Sequence, residues 1–140
     1  MVRISDIELV KLLMKNSRRS YVELARILGV TEAAVRKRIK RLEERGIIRG
    51  YSIEVDPRKL GYEVMSFIGV DAAPEHYIRI MEDLKRRAEV VNLYSTSGDH
   101  MMIAECWFKN SDELSAFVKE LEDTEGVSRI CPAIVLEKVK

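Results

Sequence analysis

Apolar residues recur at helical spacing in three segments of the first third of the chain, and each segment follows a residue that can cap a helix. The first segment begins at Ser5 or Asp6, the second at Ser20 with Glu23 three residues later, and the third at Thr31. The predicted inward faces are Ile7, Val10, Leu13 and Met14, then Leu24, Ala25 and Leu28, then Val35, Ile39 and Leu42. This pattern predicts three helices around a small core.

A tight turn joins the second and third predicted helices. Gly29 ends the second helix, since glycine adopts the left-handed conformation at little cost, and Thr31 starts the third two residues later. Ala25, four residues before the glycine, is small where two helices must approach closely. These features indicate a helix-turn-helix, whose second helix enters the major groove of DNA.

The outer surface of the third predicted helix is basic. We expect its outward residues, its cap and one basic residue after it to contact double-stranded DNA: Thr31, Glu32, Ala33, Arg36, Lys37, Lys40, Arg41 and Arg49. Because the first turns of a recognition helix contact base edges, we assign Ala33, Arg36 and Lys37 to bases. Lys40 and Arg41 lie farther along and are assigned to phosphates. The alternative is a solvated surface helix stabilised by charge pairs four residues apart.

The segment after the third helix alternates apolar and polar residues. Residues 47–55 predict a short hairpin with Arg49 and Gly50 at its tip, which would form the wing of a winged helix-turn-helix. Residues 1–55 would then be a DNA-binding domain. A proline and a glycine interrupt residues 56–62, which we interpret as a linker.

The remaining residues, 63–140, alternate between strand and helix patterns. The predicted strands are residues 63–71, 90–96, 101–108 and 127–137, and the predicted helices are residues 75–88 and 111–123. Their β-α-β-β-α-β order is that of a ferredoxin-like domain. The predicted fold class is therefore α+β, with an N-terminal winged helix-turn-helix followed by a ferredoxin-like βαββαβ domain.

Both faces of the predicted sheet carry apolar residues. In the first strand, Ile68 points to one side and Phe67 to the other, and residues 101–108 show the same two-sided pattern. In this fold both helices cover one face, so the other face needs a second cover. A second copy of the chain is the natural candidate, and we expect a homodimer through this domain.

A turn between the two middle strands is the candidate ligand site. Its residues are Ser97, Gly98, Asp99, His100 and Met101. Glycine lets a small ligand approach the backbone, and the Asp99 carboxylate can bind an ammonium group. The alternative is an ordinary turn, in which the aspartate bonds to its own backbone.

The two halves of the chain have opposite net charge. Residues 1–60 contain fifteen Lys and Arg against eight Asp and Glu, a net charge of +7, and residues 61–140 contain nine against fifteen, a net charge of −6. This asymmetry favours a module for a polyanion joined to a module with another task. The charged fraction of 34% also resembles the composition of thermophile proteins.

Apolar runs in the chain are short, and the first residues lack the features of a signal peptide. We therefore expect a cytoplasmic protein with no membrane partner. Cys106 and Cys131 are expected to be reduced. The sequence predicts no cofactor and no metal.

The order of these motifs resembles the Lrp/AsnC family, also called feast/famine regulatory proteins. The matching segments are residues 24–48, 50–62, 97–100 and 125–140, so the resemblance covers nearly the whole chain, and it is greatest to archaeal members. The resemblance implies a sequence-specific transcriptional regulator and not an enzyme. It also implies dimers built on the C-terminal sheets, often assembled into octamers. We therefore predict a protein that binds a palindromic operator as a dimer or higher oligomer.

The family resemblance further implies an amino-acid effector, bound between dimers near the glycine turn. Gly98, Asp99 and His100 fall on that turn. Met101 stands where the family often has an aspartate, which removes an acidic partner for the ammonium of an amino acid. The sequence thus leaves open which effector the turn binds, or whether it binds one.

Two other classes of function would make different demands on the residues. A soft-metal sensor would use His100, Met101, Met102, Cys106 and Cys131, although alternation along a strand sends the two methionines to opposite faces. An enzyme would need a catalytic motif, and neither His76 nor His100 lies in one.

Overall fold

Three helices form the first of two units in the structure, a computed structural model that describes residues 4–140. They are α1 (Asp6–Lys15), α2 (Tyr21–Leu28) and α3 (Glu32–Glu44). Each begins at a predicted cap: the hydroxyls of Ser5, Ser20 and Thr31 accept hydrogen bonds from the backbone N–H groups three residues on, at 3.3, 3.1 and 3.1 Å. Capping satisfies donors that the first turn of a helix leaves without a partner. Within the described residues, no helix is both long and apolar enough to cross a membrane.

The core of the first unit confirms the predicted faces of α2 and α3 and corrects that of α1. The predicted residues Leu24, Ala25, Val35, Ile39 and Leu42 are buried, and Leu28 is half-buried against them. On α1 the buried residues are Leu9 and Leu13, whereas Ile7 and Met14 are 70% and 80% exposed. Two apolar stripes overlap on this helix, and their spacing alone does not show which one faces the core.

The predicted wing is wrong as a hairpin, because residues 47–55 contain no strand in the structure. The backbone N–H groups of Ile47 and Ile48 both donate to the carbonyl of Leu42, at 2.9 and 3.2 Å, and thereby close the C-terminal end of α3. An N–H used in this way cannot join a hairpin ladder with the residues after Gly50. The segment is held instead by contacts such as the hydrogen bond from the Ser17 hydroxyl to the Ser52 carbonyl, at 3.1 Å.

Residues 56–62, interpreted as a linker from the sequence, contain a short 3-10 helix at Pro57–Leu60. The Asp56 carboxylate caps it by accepting from the Arg58 N–H at 3.2 Å, and Gly61 ends it with a φ of +97°. The Arg58 guanidinium donates to the Leu136 carbonyl at 2.9 Å. These residues therefore belong to the second unit, which begins at Asp56.

The second unit contains a four-stranded antiparallel sheet and two helices. Its elements are β1 (Val64–Ala72), α4 (Tyr77–Arg86), β2 (Val90–Ser95), β3 (Met102–Phe108), α5 (Ser111–Glu122) and β4 (Val127–Ile134). The strand order across the sheet is β2-β3-β1-β4. This is the predicted βαββαβ arrangement, although the helix predicted over 75–88 begins as a 3-10 turn at Pro74–His76 and ends earlier, at Arg86.

One face of the sheet packs on both helices. Alternate residues of β1 and β3 point to that face and are fully buried, among them Ile68, Val70, Met102 and Phe108. Apolar side chains of α4 and α5, such as Leu84 and Phe117, complete the core. The opposite face carries the alternate residues, and within residues 56–140 no helix covers it.

Candidate functional site

The predicted DNA-contacting residues all lie at the surface of the first unit. Thr31, Glu32, Ala33, Arg36, Lys37, Lys40, Arg41 and Arg49 are all exposed. Seven of them belong to α3 and its cap, because the buried stripe of this helix fixes which side faces out. Arg49 follows the helix and lies in residues 47–55, which contain no strand. The Thr31 hydroxyl is already used as the helix cap.

The basic surface of α3, defined as Arg36, Lys37, Lys40 and Arg41, has two kinds of position. Lys37, Lys40 and Arg41 lie on the side opposite the buried stripe. Arg36 lies on one flank, where its guanidinium carbon is over the ring of Tyr21, 4.9 Å from the ring centroid. Tyr21 is the first residue of α2, so the flank of Arg36 faces the start of the neighbouring helix.

Arg38 is basic and on the same helix, but its side chain faces α1. Its guanidinium lies 3.1 Å from the carboxylate of Asp6, and both side chains are about a third exposed. Opposite charges held at this distance neutralise each other locally. Arg38 therefore has a structural role, and it does not belong to the basic surface of the same helix.

An acidic residue on α3 is also held by a neighbour. The Tyr51 hydroxyl donates to the Glu43 carboxylate at 3.3 Å. Partial burial and the nearby Glu43 charge raise the pKa of Tyr51 above its usual value. Glu43 is seven residues, or about two turns, from Arg36 and lies on the same flank.

The candidate ligand turn connects β2 to β3. Gly98 has a φ of +104°, which a side chain would disfavour, and this lets the chain reverse direction. Thr96 closes the turn: its hydroxyl donates to the His100 carbonyl at 2.7 Å and its N–H to the Met101 carbonyl at 3.0 Å. Ser97, Gly98 and Asp99 are exposed, whereas His100 and Met101 are half-buried.

An aspartate that the sequence analysis did not single out anchors this turn. Asp71, near the end of β1, accepts from the Met101 N–H at 2.8 Å and lies 3.1 Å from the His100 imidazole. Arg129 of β4 donates to the same carboxylate at 3.0 Å. Burial alone would raise the pKa of Asp71, but these three hydrogen bonds outweigh it and the pKa lies below its usual value.

Arg129 also reaches the exposed end of the turn. One of its terminal nitrogens donates to the carbonyl and to the carboxylate of Asp99, at 2.7 and 3.0 Å. Asp71, Asp99, His100 and Arg129 thus form one cluster, which we call the turn network. The Asp99 side chain is 82% exposed and the Arg129 side chain 48% exposed. Both remain in reach of a ligand from solvent.

Gly69 makes room for the imidazole of the turn network. It lies on the same face of β1 as Asp71, and a Cβ at this position would collide with the His100 ring. Glycine inside a strand often marks such a close approach. Gly69 was the one residue of β1 whose type could have predicted a contact with the turn. No sequence pattern predicted the positions of Asp71 and Arg129, because only the pairing of β1 with β4 brings them together.

The residues of the suggested soft-metal site do not come together. Cys106 faces the helices and is fully buried, and burial raises the pKa of its thiol to about 12. Gly69 pairs with Cys131, which therefore lies on the opposite face of the sheet, the face of the turn network. Within residues 4–140, no three His, Cys, Asp or Glu side chains are arranged to hold a metal ion.

Comparisons with known proteins agree with both units. A family model of winged helix-turn-helix DNA-binding domains matches residues 3–49, and a model of the Lrp/AsnC ligand-binding domain matches residues 65–140. The HTH-type transcriptional regulator LrpA of Pyrococcus abyssi is 43% identical over 141 residues, with 100% of each chain covered.

Two solved structures resemble the whole chain. AsnC from E. coli has a TM-score of 0.80 and 27% identity, and the match covers 99% of this chain and 95% of that one. A transcriptional regulator from Neisseria meningitidis, solved in complex with L-Met, has a TM-score of 0.88 and 24% identity, covering 100% and 93%. The second likeness is one of fold alone.

Proposed function

The chain belongs to the Lrp/AsnC family of transcriptional regulators, and we propose that it recognises a palindromic operator through the basic surface of α3. As a member of this family it is a DNA-binding regulator and not an enzyme. The observation that carries the proposal is the burial of Val35, Ile39 and Leu42, which directs the basic residues of α3 outward. The cytoplasm is the proposed place of action.

We assign the contacts along α3 according to their distance from its N-terminus. Ala33, Arg36 and Lys37 lie in the first two turns and contact base edges, with Arg36 able to donate to two acceptors of a guanine. Lys40 and Arg41 contact phosphates, as does Arg49 in the segment after the helix. Thr31 and Glu32 lie at the helix start, where they border the groove.

The division between base and phosphate contacts is testable with single variants. Arg36→Ala is expected to reduce the preference for the operator over a scrambled duplex, by an amount corresponding to about 1–3 kcal/mol. Lys40→Ala is expected to weaken binding to both duplexes by a similar factor. Equal effects of the two changes on the preference would contradict the division.

The exposed sheet face supports self-association as a dimer. Phe67 and Tyr94 on this face are 42% and 52% exposed, and the ring of Trp107 lies tilted against that of Tyr62 at a centroid distance of 5.8 Å. An apolar sheet face without cover in its own unit is a typical interface between identical chains. Two copies would present two α3 helices to the two halves of a palindrome. An octamer is the higher assembly that we propose alongside the dimer.

The turn of residues 97–101 is the proposed effector site, extended by Asp71 and Arg129. The matched ligand-binding family model supports a ligand in this unit. Asp99 and Arg129 offer opposite charges close together, which suits the ammonium and carboxylate groups of an amino acid. The effector would have to replace the Arg129–Asp99 contacts that now join these residues. Met101 supplies no acidic group to this site.

One selection experiment tests the operator, the effector and the assembly together. The full-length chain is incubated with a random pool of duplex DNA, without and with each amino acid, and the bound duplexes are sequenced while the particle mass is recorded. We expect an enriched palindrome, and at least one amino acid that changes its enrichment or the mass. Recovery of unenriched DNA would contradict the proposed operator recognition, and no response to any amino acid would contradict the effector site.

A further inference from the structure

We propose that Tyr21 is a positioning residue for operator recognition, because its ring holds the Arg36 guanidinium on the flank of α3. The inference rests on the proposed role of Arg36 at the bases. The guanidinium carbon is 4.9 Å from the centroid of the Tyr21 ring. This lies within the range of about 6 Å over which the face of an aromatic ring attracts a cation.

Tyr21 stands where the helix-turn-helix meets DNA. It is the first residue of α2, directly after the Ser20 cap. The first helix of such a motif crosses the DNA backbone while the second enters the groove, so the start of α2 lies beside the groove that α3 occupies. Tyr21 is 38% exposed, and within residues 4–55 it is not part of the buried core. Its contact with Arg36 is therefore made at the surface of the unit.

An arginine that an aromatic ring already holds loses less conformational entropy on binding DNA than a free arginine does. An arginine side chain has many rotamers, and fixing it at a base costs conformational entropy. The contact with Tyr21 restricts the guanidinium before DNA arrives. The guanidinium has five N–H donors, and those that point away from the ring stay free for a guanine or a phosphate. The ring thus favours recognition without touching the base.

Two other roles of Tyr21 make different predictions. Its hydroxyl could donate to a phosphate directly, in which case the ring would matter less than the oxygen. It could also serve only the stability of the first unit, in which case the preference among duplexes would not depend on it. Three changes separate these roles: Tyr21→Phe keeps the ring and removes the oxygen, Tyr21→Leu removes both, and Arg36→Ala removes the cation that contacts the ring.

The test uses the full-length chain and two duplexes of equal length. One is the duplex that the unaltered chain recovers from a random pool, and the other is its scrambled form. Tyr21→Leu is expected to lower the ratio of the two affinities about two- to fivefold, the usual strength of an exposed cation–aromatic contact. Tyr21→Phe is expected to keep the ratio. Combined with Arg36→Ala, Tyr21→Leu should cause no further loss.

A matched control is available on the same helix. Ile27 is an apolar residue of the last turn of α2 and is 49% exposed, so Ile27→Ala removes apolar surface at the end of α2 opposite Tyr21. It is expected to keep the ratio, and thermal unfolding of all variants records whether the fold is retained.

Four results would overturn the inference. An unchanged ratio in Tyr21→Leu would leave the ring no role in recognition, and a loss in Tyr21→Phe as large as in Tyr21→Leu would assign the effect to the hydroxyl. An equal loss from Tyr21→Leu with and without Arg36 would mean that the two residues act independently. Failure of the unaltered chain to enrich any duplex would overturn the proposed operator recognition as well.

Discussion

The two charged regions of the molecule differ in what neutralises them. On the basic surface of α3, Lys37, Lys40 and Arg41 point away from the core of their unit, and Arg36 is held by an aromatic ring. In the turn network, the Arg129 guanidinium bonds to both Asp71 and Asp99. The charges of the first region face solvent, whereas those of the second are paired within the fold.

This difference shows that the number of charges in a segment does not reveal their use. Arg38 is surrounded in sequence by basic residues, yet it is paired with Asp6 and belongs with the structural charges. Asp99 belongs to the turn network, yet most of its side chain is exposed. Paired charges can still meet a ligand, provided that the ligand replaces the contacts they already make.

The largest expected effect separates the basic surface from the structural arginine beside it. Lys40→Ala combined with Arg41→Ala is expected to weaken DNA binding about 30- to 150-fold at moderate salt, taking roughly 1–1.5 kcal/mol for each lost phosphate contact. Arg38→Ala is the matched control, since it removes one charge of the same helix that faces α1. Binding is measured by fluorescence anisotropy. A loss from Arg38→Ala as large as that from the double change would contradict the separation.

A glycine change should disturb the turn network next most strongly. Gly69→Ala places a methyl group against the His100 ring and is expected to lower the free energy of unfolding by about 1–3 kcal/mol. Gly50→Ala is the matched control, because nothing lies within 4 Å of its added methyl group. Urea unfolding gives both values. In a His100→Ala background the cost of Gly69→Ala should largely disappear; if it persists, the collision with the imidazole is not its cause.

The starts of α1, α2 and α3 could be predicted because their causes are local. Ser5, Ser20 and Thr31 cap helices through N–H groups three residues away, and a single short window of sequence contains both partners. The βαββαβ order followed from patterns of similar length. The predicted hairpin failed for a reason that also lies nearby, because the N–H groups of Ile47 and Ile48 were taken by the end of α3. Alternation in sequence does not reveal that competition.

The turn network could be predicted only in part, because its members come from distant segments. Asp99 and His100 were found as part of a turn with a glycine. Asp71 and Arg129 lie 28 residues before and 30 residues after Asp99 and meet only when β1 pairs with β4. Asp71 and Arg129 pair in the regular register that begins at Ser66 and Ile134. The periodicity of a single strand does not predict which strand lies beside it, or in which register.

An acid titration tests the charge balance of the turn network. The pKa of Asp71 is lower in the folded chain than its unfolded value of about 3.9, so its carboxylate stabilises the fold above that pH. This contribution is lost as the pH falls through the folded pKa. Asp71→Asn is expected to lower the free energy of unfolding at pH 7 by about 1–2 kcal/mol and to show a weaker decline in acid. Exposed Glu122→Gln is the control, and an identical acid decline in Asp71→Asn and in the unaltered chain would contradict this role.

The smallest expected effect concerns the hydroxyl group of Ser66, which is buried. Within residues 4–140, the buried Ser66 hydroxyl has no hydrogen-bond partner, and it faces the sheet core opposite Cys106. Ser66→Ala removes this group and is expected to change the free energy of unfolding by between zero and about 1 kcal/mol in the stabilising direction. Thermal unfolding measures it. Clear destabilisation would show that the hydroxyl has a partner after all.

The salt dependence of DNA affinity tests most directly whether the two charged regions have different uses. The affinity of the unaltered chain, Lys40→Ala and Arg129→Ala for one duplex is measured over a series of salt concentrations, with the particle mass checked for each. We predict that Lys40→Ala reduces the slope of log affinity against log salt by about one, because one fewer phosphate contact releases counterions. Arg129→Ala should leave the slope unchanged. An equal reduction by both variants, or a reduction by Arg129→Ala alone, would contradict the assignment of DNA binding to α3.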